Sequence, residues 1–155
     1  MSSSSIVVAA ALVWFSAAPQ GLRAEEPAAK APPALPIPRT PSPEGAGAYI
    51  ISPANGATLS GSVTVRFGLR GMGVAPAGVP APGTGHHHLI LDASTPSLET
   101  VLPTDEHHLH FGKGQTEITL DLPPGTHTLQ LVFADHNHVP HQPPLVSERI
   151  TITVK

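Results

Sequence analysis

From Ala48 onward, apolar and polar residues alternate with period two in short runs separated by Gly, Pro and Asn. Such alternation marks strands with one face buried and the other solvated. Tyr49-Ile50-Ile51 opens the series, ahead of a turn at Pro53-Ala54-Asn55-Gly56. Val63, Val65, Phe67 and Leu69 then alternate with Thr64, Arg66 and Gly68. Residues 71–85 (GMGVAPAGVPAPGTG) read as a Gly/Pro loop. His87, Leu89 and Leu91 share one face of the next strand, and His86, His88 and Ile90 share the other. Ile118, Leu120 and Leu122 point inward from 115–122, and Pro123-Pro124-Gly125 reads as a hairpin turn. His127, Leu129, Leu131 and Phe133 face the core on the return strand, and Ile150, Ile152 and Val154 close the chain. No segment carries a helical period. About seven strands over 48–155 predict an all-β fold, an immunoglobulin-like or fibronectin-like β-sandwich. A jelly roll or small barrel is the alternative.

The front of the chain has a different texture. Ile6 to Ala18 is an apolar run of 13 residues, too short for a membrane-spanning helix and suited to the core of a secretory signal. Residues 1–24 are therefore expected to be a signal peptide, with cleavage between Ala24 and Glu25, although no Lys or Arg precedes the run. Residues 25–47 hold seven prolines and five alanines with little to bury, which predicts a disordered, semi-rigid linker. The expected mature protein is soluble and lies in a periplasm or outside the cell, not within a membrane. With no cysteine, it has neither a disulfide nor a lipid anchor. A net charge of -3 and the lack of any Lys/Arg cluster argue against nucleic acid and anionic membrane surfaces as partners.

All ten histidines lie between His86 and His141, and imidazole is the commonest protein ligand for transition metals. Nine fall in three clumps: His86-His87-His88, then His107, His108 and His110, then His136, His138 and His141. If 123–125 is one end of the sandwich, strand direction carries all three clumps to the opposite end. Parity points His86 and His88 the same way, His108 and His110 likewise, and His87 into the core. The expected ligands are His86, His88, His108, His110 and His138, with His141 next and Asp135 orienting or completing the site. Asp105 and Glu106 are close enough in sequence to act as second acceptors. His127 is expected to be structural, bonded to backbone or Asp92. With imidazole and carboxylate but no thiolate, Cu(II), Zn(II) or Ni(II) suit the site better than Cu(I).

Other readings remain beside this one. The histidines can form a hydrogen-bonded network bracing loops, in a structural or adhesive module whose partner is another envelope protein. His86, His88 and Asp92 resemble the first metal motif of cupins, with Asp for Glu, and the segment ending in His127 resembles the second with its histidine one residue early. A metalloenzyme on that basis is the weaker reading, since no HExxH, GxSxG or phosphate loop is present.

The strings GTGHHHLILD (83–92), HLHFGKGQTE (108–117), PPGTHTLQLVFAD (123–135) and NHVPHQPPLVSERITITV (137–154) together resemble a bacterial family, domain of unknown function 4399. The resemblance implies a small exported protein with a β-rich domain and no assigned activity. It places His86, His87, His88, His108, His110, His127, His138 and His141 in the family pattern, with Asp92, Gly112, Gly114, Gln115 and Asp135. His107 and His136 fall outside it.

Overall fold

A computed structural model describes residues 37–155. The expected signal and the linker as far as Pro36 lie outside the described residues. The described chain contains no helix, and so none long and apolar enough to cross a membrane. It forms β1 (Gly47–Ser52), β2 (Thr58–Leu59), β3 (Val63–Arg70), β4 (Gly73–Val74) and β5 (Thr84–Leu91). β6 (His108–His110), β7 (Glu117–Leu120), β8 (Gly125–Ala134), β9 (Pro140–Val146) and β10 (Ile150–Val154) follow.

These strands make an all-β sandwich. One sheet runs β1-β3-β7 and the other β2-β10-β8-β5-β4, with β6 also on β5 and β9 also on β8. The inner faces meet as the alternation requires: Val63, Val65 and Phe67 pack with Leu89, Leu129, Leu131, Phe133 and Ile152 in one buried cluster. Burying a side chain of this size stabilises by about 1.5–3 kcal/mol before conformational entropy is set against it. Antiparallel pairing of β5 with β8 sets His87 opposite Phe133 and Leu89 opposite Leu131 on the inner face. On the outer face it sets His86 opposite Ala134 and His88 opposite Val132. An antiparallel sheet commonly leaves its outer face wet. Here Ile90, Leu102, Val132 and Ala134 form a second buried cluster on that face, with Ala93 and Leu98 packed against it. The excursion between β5 and β6 thus acts as a roof.

Three features differ from the expectation. The Pro123-Pro124-Gly125 turn is not a hairpin, because β7 pairs with β3 in one sheet and β8 with β5 and β10 in the other. It is an arch between sheets. Residues 140–146, outside every strand expected from the alternation, form β9, whose ladder to β8 is broken by a register shift. Pro140, Pro143 and Pro144 donate no backbone hydrogen bonds, which confines such a strand to an edge. Ordered packing also begins before Ala48. Thr40 and Ser42 exchange backbone hydrogen bonds with Gln142, and the Arg39 guanidinium donates to the carbonyls of Pro140 and His141.

Candidate metal centre

Gly85 sets where the site begins. A Cβ there would lie 2.2 Å from the Ala134 carbonyl oxygen, so the chain enters β5 pressed against the end of β8. The next residues, His86 and His88, project from the outer face and are buried. β6 pairs with β5 so that His110 stands directly opposite His88. Cross-strand partners on one face have Cβ atoms about 4.5–5.5 Å apart, which brings the two rings into contact.

The fourth ring comes from the turn after β8. Asp135 is buried, and its Oδ1 accepts the amides of Asn137 and Val139 while its backbone carbonyl accepts the His138 amide. The Thr40 hydroxyl donates to Asp135 Oδ2. This knot holds His138 at φ 66°, a left-handed conformation uncommon outside glycine, Asn, Asp and His. It lays the ring over the outer face.

His138 then lies 5.0 Å from His86 and 4.7 Å from His110, ring centroid to centroid. One ring nitrogen from each of His86, His110 and His138 falls within 4.8 Å of the others. His88 sits against them, its Nε2 3.1 Å from His86 Nε2. The Nδ1 atoms of His86 and His88 and Nε2 of His110 are buried with no hydrogen-bond partner among the described residues.

Burial makes these rings poor bases. Desolvation, then the neighbouring His138 and His110, pushes His86 down to about 4, against the opposing pull of Asp135. Desolvation and then His86, His110 and His138 push His88 down to about 2. His110 is lowered by burial and by His138. His86, His88 and His110 are therefore neutral at physiological pH, the form in which imidazole binds metal.

The remaining expected residues fall elsewhere. His108 has the parity of His110 but pairs with Ile90, one step farther along the sheet. Its Nδ1 bonds Asp105, whose carboxylate is lowered first by that bond. Asp105 also accepts the amides of His107 and His108 and closes their turn. His141 passes into the interior, stacked on Phe133 with its Nδ1 on the Thr40 hydroxyl. A cleft of about 340 Å³ lies beside His141, lined also by Thr40, Pro82, Thr84 and Asp135; none of the four clustered histidines lines it. Asp135 builds the turn, with both oxygens already engaged. His87 is buried between Phe67 and Phe133, its two ring nitrogens unpartnered among the described residues. His127 is fixed at both nitrogens, to Asp92 and to the Pro123 carbonyl, and the Asp92 bond raises its pKa first. Exposed His107 bonds the Leu91 carbonyl, and His136 bonds Asn137.

Two supporting roles escaped the sequence reading, although the family resemblance includes Gly112. Gly112 has its absent Cβ 2.5 Å from His110 Nε2, so only glycine lets that ring lie where it does. Thr40 ties Asp135 to His141 from what reads as linker. A glycine two residues past a histidine and a threonine between prolines carry no sequence signal for these roles.

Fold and site together define an all-β sandwich with a histidine cluster, buried at His86 and His88 and half-buried at His110 and His138, on the outer face of its larger sheet. The chain belongs to the family Domain of unknown function (DUF4399), whose model matches residues 65–155 and so spans every clustered histidine. No curated protein and no solved structure matches the chain.

Proposed function

We propose that the protein is an exported, periplasmic or secreted binder of a divalent transition metal, held by His86, His110 and His138 with His88 beside them. The observation that carries this is the convergence of three ring nitrogens, within 4.8 Å of one another, from two strands and a turn. Metal–nitrogen bonds of about 2.0–2.1 Å put ligand nitrogens about 3–4 Å apart, so small ring rotations close the set. The buried, unpartnered Nε2 of His110 supports it, since such an atom costs about 1–3 kcal/mol when nothing bonds it. Nitrogen donors without thiolate favour Zn(II), Cu(II) or Ni(II). The apolar N-terminal run supports export.

The His86–His88 contact also suits a second reading, an imidazole network that merely braces the roof. Elemental mass spectrometry separates the two. Untagged protein recovered after export should carry about one equivalent of zinc, copper or nickel through chelator competition. The double variant His86→Ala with His110→Ala should lose it while keeping its far-UV spectrum. An empty protein that takes up no added metal tightly would leave the network reading standing alone.

A further inference from the structure

We infer that His88 is the fourth ligand, making the centre a closed tetrahedral set of four imidazoles suited to zinc(II). This deepens the metal-binding reading and rests on it. The four rings arise from three stretches of chain. Five of their six centroid separations are 4.9 Å (His86–His88), 4.9 Å (His86–His110), 5.0 Å (His86–His138), 5.0 Å (His88–His110) and 4.7 Å (His110–His138). The sixth, His88–His138, is 5.9 Å. Four objects with nearly equal mutual distances occupy the corners of a tetrahedron.

Metal chemistry sets the scale. With bonds of 2.0–2.1 Å, four imidazoles on a tetrahedral ion have centroids about 5.2 Å apart. A square plane would instead give four separations near 4.5 Å and two diagonals near 6.4 Å. Only the 5.9 Å separation leans toward a diagonal, and His88, outside the set of nitrogens within 4.8 Å formed by His86, His110 and His138, turns its ring toward them to bind. The 3.1 Å between the Nε2 atoms of His86 and His88 lies between the roughly 2.9 Å of a right angle and 3.3 Å of a tetrahedral one.

Zinc(II) accepts a tetrahedron without penalty, whereas Cu(II) and Ni(II) favour square or tetragonal sets. Four protein ligands leave no position for water, which separates this centre from three-ligand catalytic zinc sites. Binding through Nε2 of His86 and His88 leaves their Nδ1 protons without a protein acceptor among the described residues.

Cobalt(II) substitution of the whole protein tests the coordination number. The expected result is the intense visible absorption of four-coordinate cobalt, unchanged by added azide. His88→Ala should bind cobalt at least tenfold more weakly and take up azide at the vacated position. A weak spectrum of five- or six-coordinate cobalt, or one that azide alters in the unsubstituted protein, overturns the inference while leaving metal binding intact. That measurement does not depend on the variant folding. Uptake of copper or nickel but not of cobalt or zinc overturns this inference alone; if the protein takes up none of the four, the metal-binding reading falls with it.

Discussion

Replacing His87 with leucine should stabilise the protein at neutral pH. His87 is fully buried, its ring 5.2 Å from Phe67 and 5.0 Å from Phe133, and neither nitrogen has a partner among the described residues. A buried polar group left unbonded costs about 1–3 kcal/mol, and leucine of similar volume removes that cost. Lost contact with two aromatic rings takes back about 0.5–1.5 kcal/mol. The net expectation is a gain of about 1 kcal/mol at pH 7.5.

Acid should widen it. Burial pushes His87 from 6.5 down to about 4, so between those values the unfolded chain binds a proton that the native state refuses. Stability then falls as pH falls, by up to about 1.4 kcal/mol per unit and about 2 kcal/mol by pH 5. Leucine has no such term, so its advantage should reach about 3 kcal/mol at pH 5. Urea unfolding of the metal-free protein, followed by far-UV circular dichroism at both pH values, measures the difference directly. A variant destabilised at both pH values, or a gap that fails to widen on acidification, refutes the reasoning and gives His87 a bonding role.

Gly112→Ala should drive a methyl group into the His110 ring and lower zinc affinity at least tenfold, about 1.4 kcal/mol, in a chelator competition; unchanged affinity would remove His110 from the ligand set. His108→Ala should leave both affinity and stoichiometry unaltered, since its ring is spent on Asp105 beside Ile90; a tenfold loss in the same competition would return it to the site. Asp92→Asn tests the one histidine with a raised pKa. Because the folded value lies above the unfolded one, the pair stabilises fully below about pH 6.5 and fades as pH rises through the folded value. The variant should therefore lose on the order of 1 kcal/mol at pH 5.5 and less at pH 9, by urea unfolding; equal losses at both would contradict the pairing.

Much of the inward face was legible because strand periodicity is local. Val63, Val65 and Phe67 sit in the core with Leu89, Leu131 and Ile152, as two-residue alternation requires. The same parity separates His87 from His86 and His88 without any knowledge of topology. Register is another matter. His108 and His110 share a face, and only the pairing of β6 with β5 decides which meets His88. One sequence carries no record of that choice. His138 eludes local reading for a different reason. Extended-chain spacing would pair it with His136, whereas the Asp135 turn and a left-handed backbone direct its ring to the cluster alone. His141 lies beyond Pro140, where a proline-rich run reads as loop but enters the sheet edge and carries the ring inward to Phe133.

The position of the cluster bears on its purpose. On the outer face of β5 and β8, Ile90, Val132 and Ala134 already form a buried apolar patch under the roof containing Leu102. Valine at positions 86 and 88 would extend that patch with a higher β-propensity and leave no polar atom unbonded. The chain instead places two imidazoles there, brings a third across from β6, and strains the backbone at a fourth to complete the group. Each of those choices lowers the stability of the empty fold. The metal ion proposed above would replace the His86–His88 contact, bond the unpartnered Nε2 of His110 and give the left-handed turn at His138 a purpose.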